Sequence, residues 1–121
     1  MTNEQIKLSY QLAVDVYNDV KTIKEAKEIG ESYGISPNSM NYYCAAYRHM
    51  MNGTRHTSSI GTEVREYFLS QIFSNYNNQI KRNAIIAFEQ TIEYNEERNH
   101  STLHKNRSIL EKYKRFLSEE N

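Results

Sequence analysis

The chain has 121 residues, of which 38% are hydrophobic and 25% charged, with a formal net charge of +0 and one cysteine. That length fits one domain, and the zero net charge excludes a surface coated with basic side chains for indiscriminate nucleic-acid binding. The lone Cys44 excludes an intramolecular disulfide and, with no signal peptide or membrane-spanning apolar run in the sequence, predicts a cytoplasmic protein without membrane contact.

The sequence has only one Pro and four Gly, and its apolar residues recur at three- and four-residue steps. This periodicity predicts an all-α fold of about six helices in one compact bundle, forming a single domain over residues 1–121. The first helix is predicted at about 3–19, with Tyr10, Tyr17 and Val20 on its buried stripe. The second starts after Thr22, which has capping-box spacing to Glu25.

Ile23, Ala26, Ile29 and Tyr33 are predicted to form the buried face of the second helix. Gly34 is placed to end this helix. In the following Ser36-Pro37 pair, Ser36 can cap a third helix and Pro37 suits its first turn. Gly53 ends the third helix, and 52–61 is predicted as a polar loop. Three further helices are predicted at about 62–75, at about 79–98 and from a cap at Asn99 or Ser101 to about 117.

Residues 22–51 could form a helix-turn-helix. In this interpretation Gly30 is the small residue where two helices cross, and Gly34 supplies the left-handed conformation of the turn. Asn38, Asn41 and Tyr42 would then face a DNA major groove, where asparagine can read adenine edges. The alternative is an ordinary corner between two helices of a bundle.

Two basic segments are candidate phosphate or partner contacts. Arg48, Arg55 and His56 lie in or beside the polar loop, and Lys105 and Arg107 lie on the last helix. The alternative is that both are solvated surface.

The sequence predicts no enzyme and no cofactor. Cys44 has the spacing of a packed core thiol, and Glu89, Glu93 and Glu97 are typical of a solvated helix face. His100 and His104 lack further ligands at metal-binding spacing, so no metal site is predicted.

Several short segments resemble the helical region that precedes the nuclease domain in bacterial and phage HNH-endonuclease-type proteins. They are Tyr-Cys-Ala-Ala-Tyr at 43–47, Met-Met-Asn-Gly-Thr-Arg-His-Thr at 50–57, Ile-Gly-Thr-Glu-Val-Arg-Glu-Tyr-Phe-Leu at 60–69, Ile-Glu-Tyr at 92–94 and the basic helix at 103–110. The His-based metal cluster of an HNH nuclease is absent from this sequence. The resemblance therefore implies an accessory region and carries over no catalytic residue.

Together these features predict a non-enzymatic, DNA-associated helical module of the type found beside HNH nucleases in restriction and phage systems. The alternative is a protein-binding inhibitor or adaptor of phage or mobile-element type, which acts on a nuclease or defence system and could form a homodimer. The partner would be duplex DNA or a DNA-processing protein. The residues predicted to make the contacts are Asn38, Asn41, Tyr42, Arg48, Arg55, His56, Lys105 and Arg107.

Overall fold

A computed structural model describes residues 1–57 and 60–119 and contains six α-helices in that part of the chain, with no β-strand. The helices are α1 (Asn3–Tyr17), α2 (Ile23–Ser32), α3 (Pro37–Asn52), α4 (Thr62–Asn75), α5 (Asn78–Asn99) and α6 (His104–Glu119). The predicted all-α class and the number of helices are confirmed. Ser58 and Ser59 of the predicted loop, and residues 120 and 121 of the predicted domain, lie outside the described residues.

The described residues divide into two units, one of residues 1–48 and 60–67 and one of residues 49–57 and 68–119. Helices α3 and α4 contribute residues to both units. The prediction of a single domain over residues 1–121 stays a prediction.

In the first unit α1 packs against α2, and each of these helices begins with a capping box. The Thr22 hydroxyl accepts the Glu25 backbone N–H at 3.1 Å, and the Glu25 carboxylate accepts the Thr22 N–H at 3.0 Å. These two bonds satisfy backbone donors that a helix start leaves without partners. The predicted start of α2 is confirmed.

Tyrosine rings fill much of the first unit's core. Tyr47 is fully buried and meets Tyr10 and Tyr17 edge to face, with ring centroids 5.6 and 5.5 Å apart. The predicted buried stripes are wrong at their ends, where four residues are exposed: Tyr17 by 40%, Val20 by 66%, Ile23 by 37% and Tyr33 by 62%. The physical reason is that Val20 and Tyr33 lie beyond the ends of α1 and α2, and Tyr17 and Ile23 are the last and first residues of those helices.

In the second unit α5 packs against α6 around the buried Phe88, Ile92 and Leu110. The Asn77 side chain caps α5 by accepting the Ile80 N–H at 3.0 Å. The predicted cap of α6 at Asn99 or Ser101 was wrong, because α6 begins only at His104.

Across residues 1–57 and 60–119, no helix has both the length and the apolar character that a membrane crossing requires. In the same residues, no three His, Cys, Asp or Glu side chains come together in a group that could hold a metal ion.

Candidate functional site

The turn between α2 and α3 is built from a left-handed glycine. Gly34 has φ +85°, and the Ile35 N–H reaches back to the Gly30 carbonyl at 2.9 Å. A Cβ at Gly34 would lie 2.9 Å from Nε2 of Gln5, which donates to the Tyr33 carbonyl. The left-handed backbone conformation therefore favours glycine here, while the end of the flexible Gln5 side chain could move aside for a Cβ. The turn reverses the chain after α2 without a long loop.

Gly30 lies where α2 is close to the start of α3. A Cβ added there would meet Sδ of Met40 at 3.4 Å and Cβ of Ile35 at 3.6 Å. Ile35 and Met40 are both buried. Position 30 therefore holds a small residue, as the helix-turn-helix interpretation requires. The same packing also suits an ordinary helical corner.

Ser36 and Pro37 start α3 as predicted. The Ser36 hydroxyl accepts the Ser39 N–H at 3.1 Å, and Pro37 is the first helical residue. Proline is favoured at this position because its missing N–H would have no helical partner. The N-terminus of α3 thus follows directly on the glycine turn.

The outward face of α3 carries four residues that the sequence predicts as contacts to DNA or a protein partner. Asn38, Tyr42 and Arg48 are exposed and Asn41 is half-buried. Among the described residues, the side chains of Asn38, Asn41 and Tyr42 make no hydrogen bond. They are therefore available to a partner.

This face also lacks negative charge, because α3 contains no Asp or Glu. Burial raises the pKa of the Cys44 thiol to about 11, while the positive charges of Arg48 and Lys27 act in the opposite direction. Cys44 is therefore a protonated thiol at neutral pH. The same interaction places two cations, Arg48 and Lys27, within electrostatic reach of one point on α3.

The structure separates Arg55 from His56, which are neighbours in the sequence. Arg55 is exposed, and its guanidinium carbon lies 4.5 Å from the centre of the Tyr94 ring. His56 is only 5% exposed, and its backbone N–H donates to the Thr91 hydroxyl at 3.2 Å. The His56 side chain therefore belongs to the interior of the second unit, where it is not available to a macromolecular partner.

The two basic residues predicted on α6 also differ. Lys105 is exposed, whereas Arg107 donates to Glu96 through Nε at 3.1 Å and Nη2 at 2.5 Å. The Arg107 bonds and the Leu103 backbone N–H lower the pKa of the Glu96 carboxyl to about 2. Arg107 thus links α6 to α5, and the carboxylate of Glu96 largely neutralises its charge.

Two features were not predicted from the sequence. Arg65 is 4% exposed, and burial lowers the pKa of its guanidinium to about 10; its neighbours Glu63 and Glu66 gave it the pattern of a surface residue. The Tyr94 hydroxyl accepts a hydrogen bond from Arg98 at 2.9 Å. The four-residue spacing of Tyr94 and Arg98 on a helix is a signal that could have indicated this contact.

Compared with known proteins, the chain matches no protein-family model, no curated protein and no solved structure. The resemblance to the region beside HNH nucleases thus stays a hypothesis based on the short sequence segments alone.

Proposed function

We propose that this chain is a non-enzymatic DNA-associated module that uses the outward face of α3 as its binding surface. One observation carries the proposal: an acid-free helix face with unbonded Asn and Tyr side chains follows directly on a tight glycine turn. Recognition helices of helix-turn-helix proteins enter the major groove with such an N-terminal face.

Each side chain on this face has a role that its chemistry supports. The amides of Asn38 and Asn41 can bond the N6 and N7 edge of adenine. Ala45, half-buried between these positions and Arg48, leaves room for the α3 backbone to come close to the bases. Arg48 would bind a phosphate, as would the N–H groups at the start of α3.

The charge of the first unit limits its DNA affinity. Its described residues carry six Lys or Arg against eight Asp or Glu. With Arg48 and Lys27 as the phosphate contacts, log K should fall with log salt with a slope of about −2, since each neutralised phosphate contributes about −0.9. The electrostatic part of the binding is therefore weak and is best measured at low salt.

Two exposed tyrosines of the first unit provide a matched test. Fluorescence anisotropy with a labelled random duplex at low salt would compare Tyr42→Ala, on the α3 face, with Tyr33→Ala, at the end of α2. We expect Y42A to weaken binding about fivefold, the scale of one lost side-chain hydrogen bond, and Y33A to match the wild type. If circular dichroism shows both variants folded and the two affinities fall equally, the α3 face is not the binding surface.

The sequence resemblance supports a finer proposal, that the module works beside an HNH-type nuclease in a restriction or phage system. Co-purification of the chain with an HNH nuclease encoded next to it would support this role. If the two proteins do not associate when mixed at micromolar concentration, this role is contradicted.

A second candidate function is protein binding, as an adaptor or inhibitor or through a second copy of the chain. Its support is the exposed apolar surface at the end of α1 and the start of α2, where Tyr17, Val20 and Ile23 are 40, 66 and 37% exposed. Exposed apolar clusters often mark protein interfaces. Sedimentation velocity of wild type and Val20→Lys would test the homodimer: self-association that V20K abolishes supports it, and a monomer at all concentrations contradicts it.

A further inference from the structure

The second unit contains a polar groove lined by charged side chains, unlike the largely neutral face of α3. The groove is open to solvent, has a volume of about 470 Å³ and is lined by Arg55, Gln90, Glu93, Tyr94 and Glu97. Arg55 comes from the segment after α3, and the other four residues come from α5. This volume is within the range of sites that hold small molecules or single side chains.

Tyr94 forms a wall of the groove and positions two arginines. The guanidinium carbon of Arg55 lies 4.5 Å from the ring centre, and that of Arg98 lies 5.6 Å from it. Arg98 also donates to the Tyr94 hydroxyl at 2.9 Å. A guanidinium that stacks on a ring keeps its N–H edge free for a carboxylate. Arg55, which makes no other polar contact among the described residues, is placed to bind an anion in this way.

Glu93 and Glu97 bring two carboxylates to the same groove. They are one helical turn apart, and both are exposed. Within residues 1–57 and 60–119 neither carboxylate forms an ion pair, although Arg55 lines the same groove.

Other acids of the same helix behave differently. Glu96 accepts Arg107, and Glu89 accepts Lys114 at 2.5 Å. Of the carboxylates of α5, Glu89 and Glu96 thus pair with α6, whereas Glu93 and Glu97 line the groove and form no ion pair among the described residues, although Glu93 lies within electrostatic reach of Arg107. Glu93 and Glu97 are exposed, as a solvated helix face predicts, whereas Glu89 pairs with Lys114.

We propose that the groove binds a ligand with a guanidinium or ammonium group at one end and a carboxylate at the other. The cation would lie between Glu93 and Glu97, the carboxylate would pair with Arg55, and the aliphatic stem would pack along Tyr94. A C-terminal arginine or lysine of a peptide has this chemistry, and so does the free amino acid. The proposal does not depend on DNA binding by α3.

Calorimetric titration of the full chain would use three probes: free L-arginine, the peptide Ala-Ala-Ala-Arg with a free carboxyl group, and the same peptide amidated at its C-terminus. We expect saturable binding of at least one carboxylate-bearing probe, with amidation weakening the peptide about tenfold, as for a lost charge-assisted bond. Tighter binding of the peptide identifies a protein terminus as the ligand, and equal or tighter binding of arginine identifies the amino acid.

Variants test the two ends of the site separately. Glu93→Gln with Glu97→Gln should weaken all binding about tenfold, and Arg55→Gln should remove the preference for the free carboxyl over the amide. The matched control is Glu28→Gln with Glu31→Gln, which removes two exposed acids from α2. The proposal is overturned if no probe binds saturably, or if the control pair loses as much affinity as the groove pair.

Discussion

The outward face of α3 and the basic face of α6 are both predicted from the sequence as contact surfaces, but their side chains have different partners in the structure. On α3, Asn38, Asn41 and Tyr42 make no hydrogen bond among the described residues, and the helix has no acid. On α6, Arg107 and Lys114 are bound to carboxylates of α5. A basic helix face is available to a nucleic acid only where the neighbouring helix does not neutralise it.

The difference originates in the partner helices. α5 carries Glu89, Glu93, Glu96 and Glu97 along its second half, and α6 packs against α5. α3 is an amphipathic helix whose polar side holds neutral amides and tyrosine. These side chains do not need an oppositely charged residue beside them. Arg107 and Lys114 therefore help to hold α6 against α5, while Lys105 of α6 and the polar face of α3 are exposed to solvent.

The largest effect on stability is expected from filling the space between Gly30 of α2 and Met40 of α3. Gly30→Val should destabilise the chain by about 2 kcal/mol, because the branched side chain collides with Met40 and Ile35. Gly30→Ala is the matched control, since its Cβ makes ordinary contact at 3.4 Å and its helix propensity is better by up to about 1 kcal/mol. Urea unfolding followed by circular dichroism measures both, and a G30V variant as stable as G30A would contradict the close packing.

The ion pair of Glu96 and Arg107 should make the stability of the α5–α6 pair depend on acid pH. The pKa of Glu96 is lowered from 4.5 to about 2 in the folded chain. A lowered carboxyl pKa adds stability above pH 4.5 that is lost as the pH falls towards 2. The stability difference between wild type and Glu96→Gln should therefore be largest near pH 5 and shrink steadily below it.

Urea unfolding at a series of pH values measures this dependence. Glu111→Gln is the control, because the Glu111 side chain is 61% exposed and its oxygen lies 3.9 Å from Lys114. A difference between wild type and E96Q that stays constant from pH 5 to pH 2 would show that the carboxylate does not stabilise the fold through its charge.

The smallest effect is expected at Lys114 and Glu89. Their side chains are 38 and 36% exposed, so solvent screens their attraction. Lys114→Gln should cost about 0.5 kcal/mol at low salt and less at high salt. A loss above about 1.5 kcal/mol in urea unfolding would mean that this pair is as important to α6 as the Glu96 pair, which its exposure does not support.

Features set by neighbouring residues could be predicted from the sequence. The Thr22 capping box, the Gly34 turn and the start of α3 at Pro37 all depend on side chains within three or four residues of each other. The outward positions of Asn38, Asn41 and Tyr42 on α3 also followed from helical period, and the structure leaves Asn38 and Tyr42 exposed and Asn41 half-buried.

Features set by contacts between distant residues could not be predicted in this way. His56 is buried beside Thr91, 35 residues away, and Arg107 pairs with Glu96 across the α5–α6 connection. The stacking of Arg55 on Tyr94 likewise depends on how the segment after α3 lies along α5. Neither residue type nor spacing shows which of several basic side chains will form an ion pair with a carboxylate.

Charge reversal on the two helices tests the central claim, that α3 and not α6 is the surface for DNA. Arg48→Glu and Lys105→Glu change the net charge equally, so a nonspecific electrostatic effect would be the same in both. Anisotropy with a labelled duplex at low salt should show a loss of about tenfold or more for R48E and of about threefold or less for K105E. Equal losses, or a larger loss for K105E, would contradict the account.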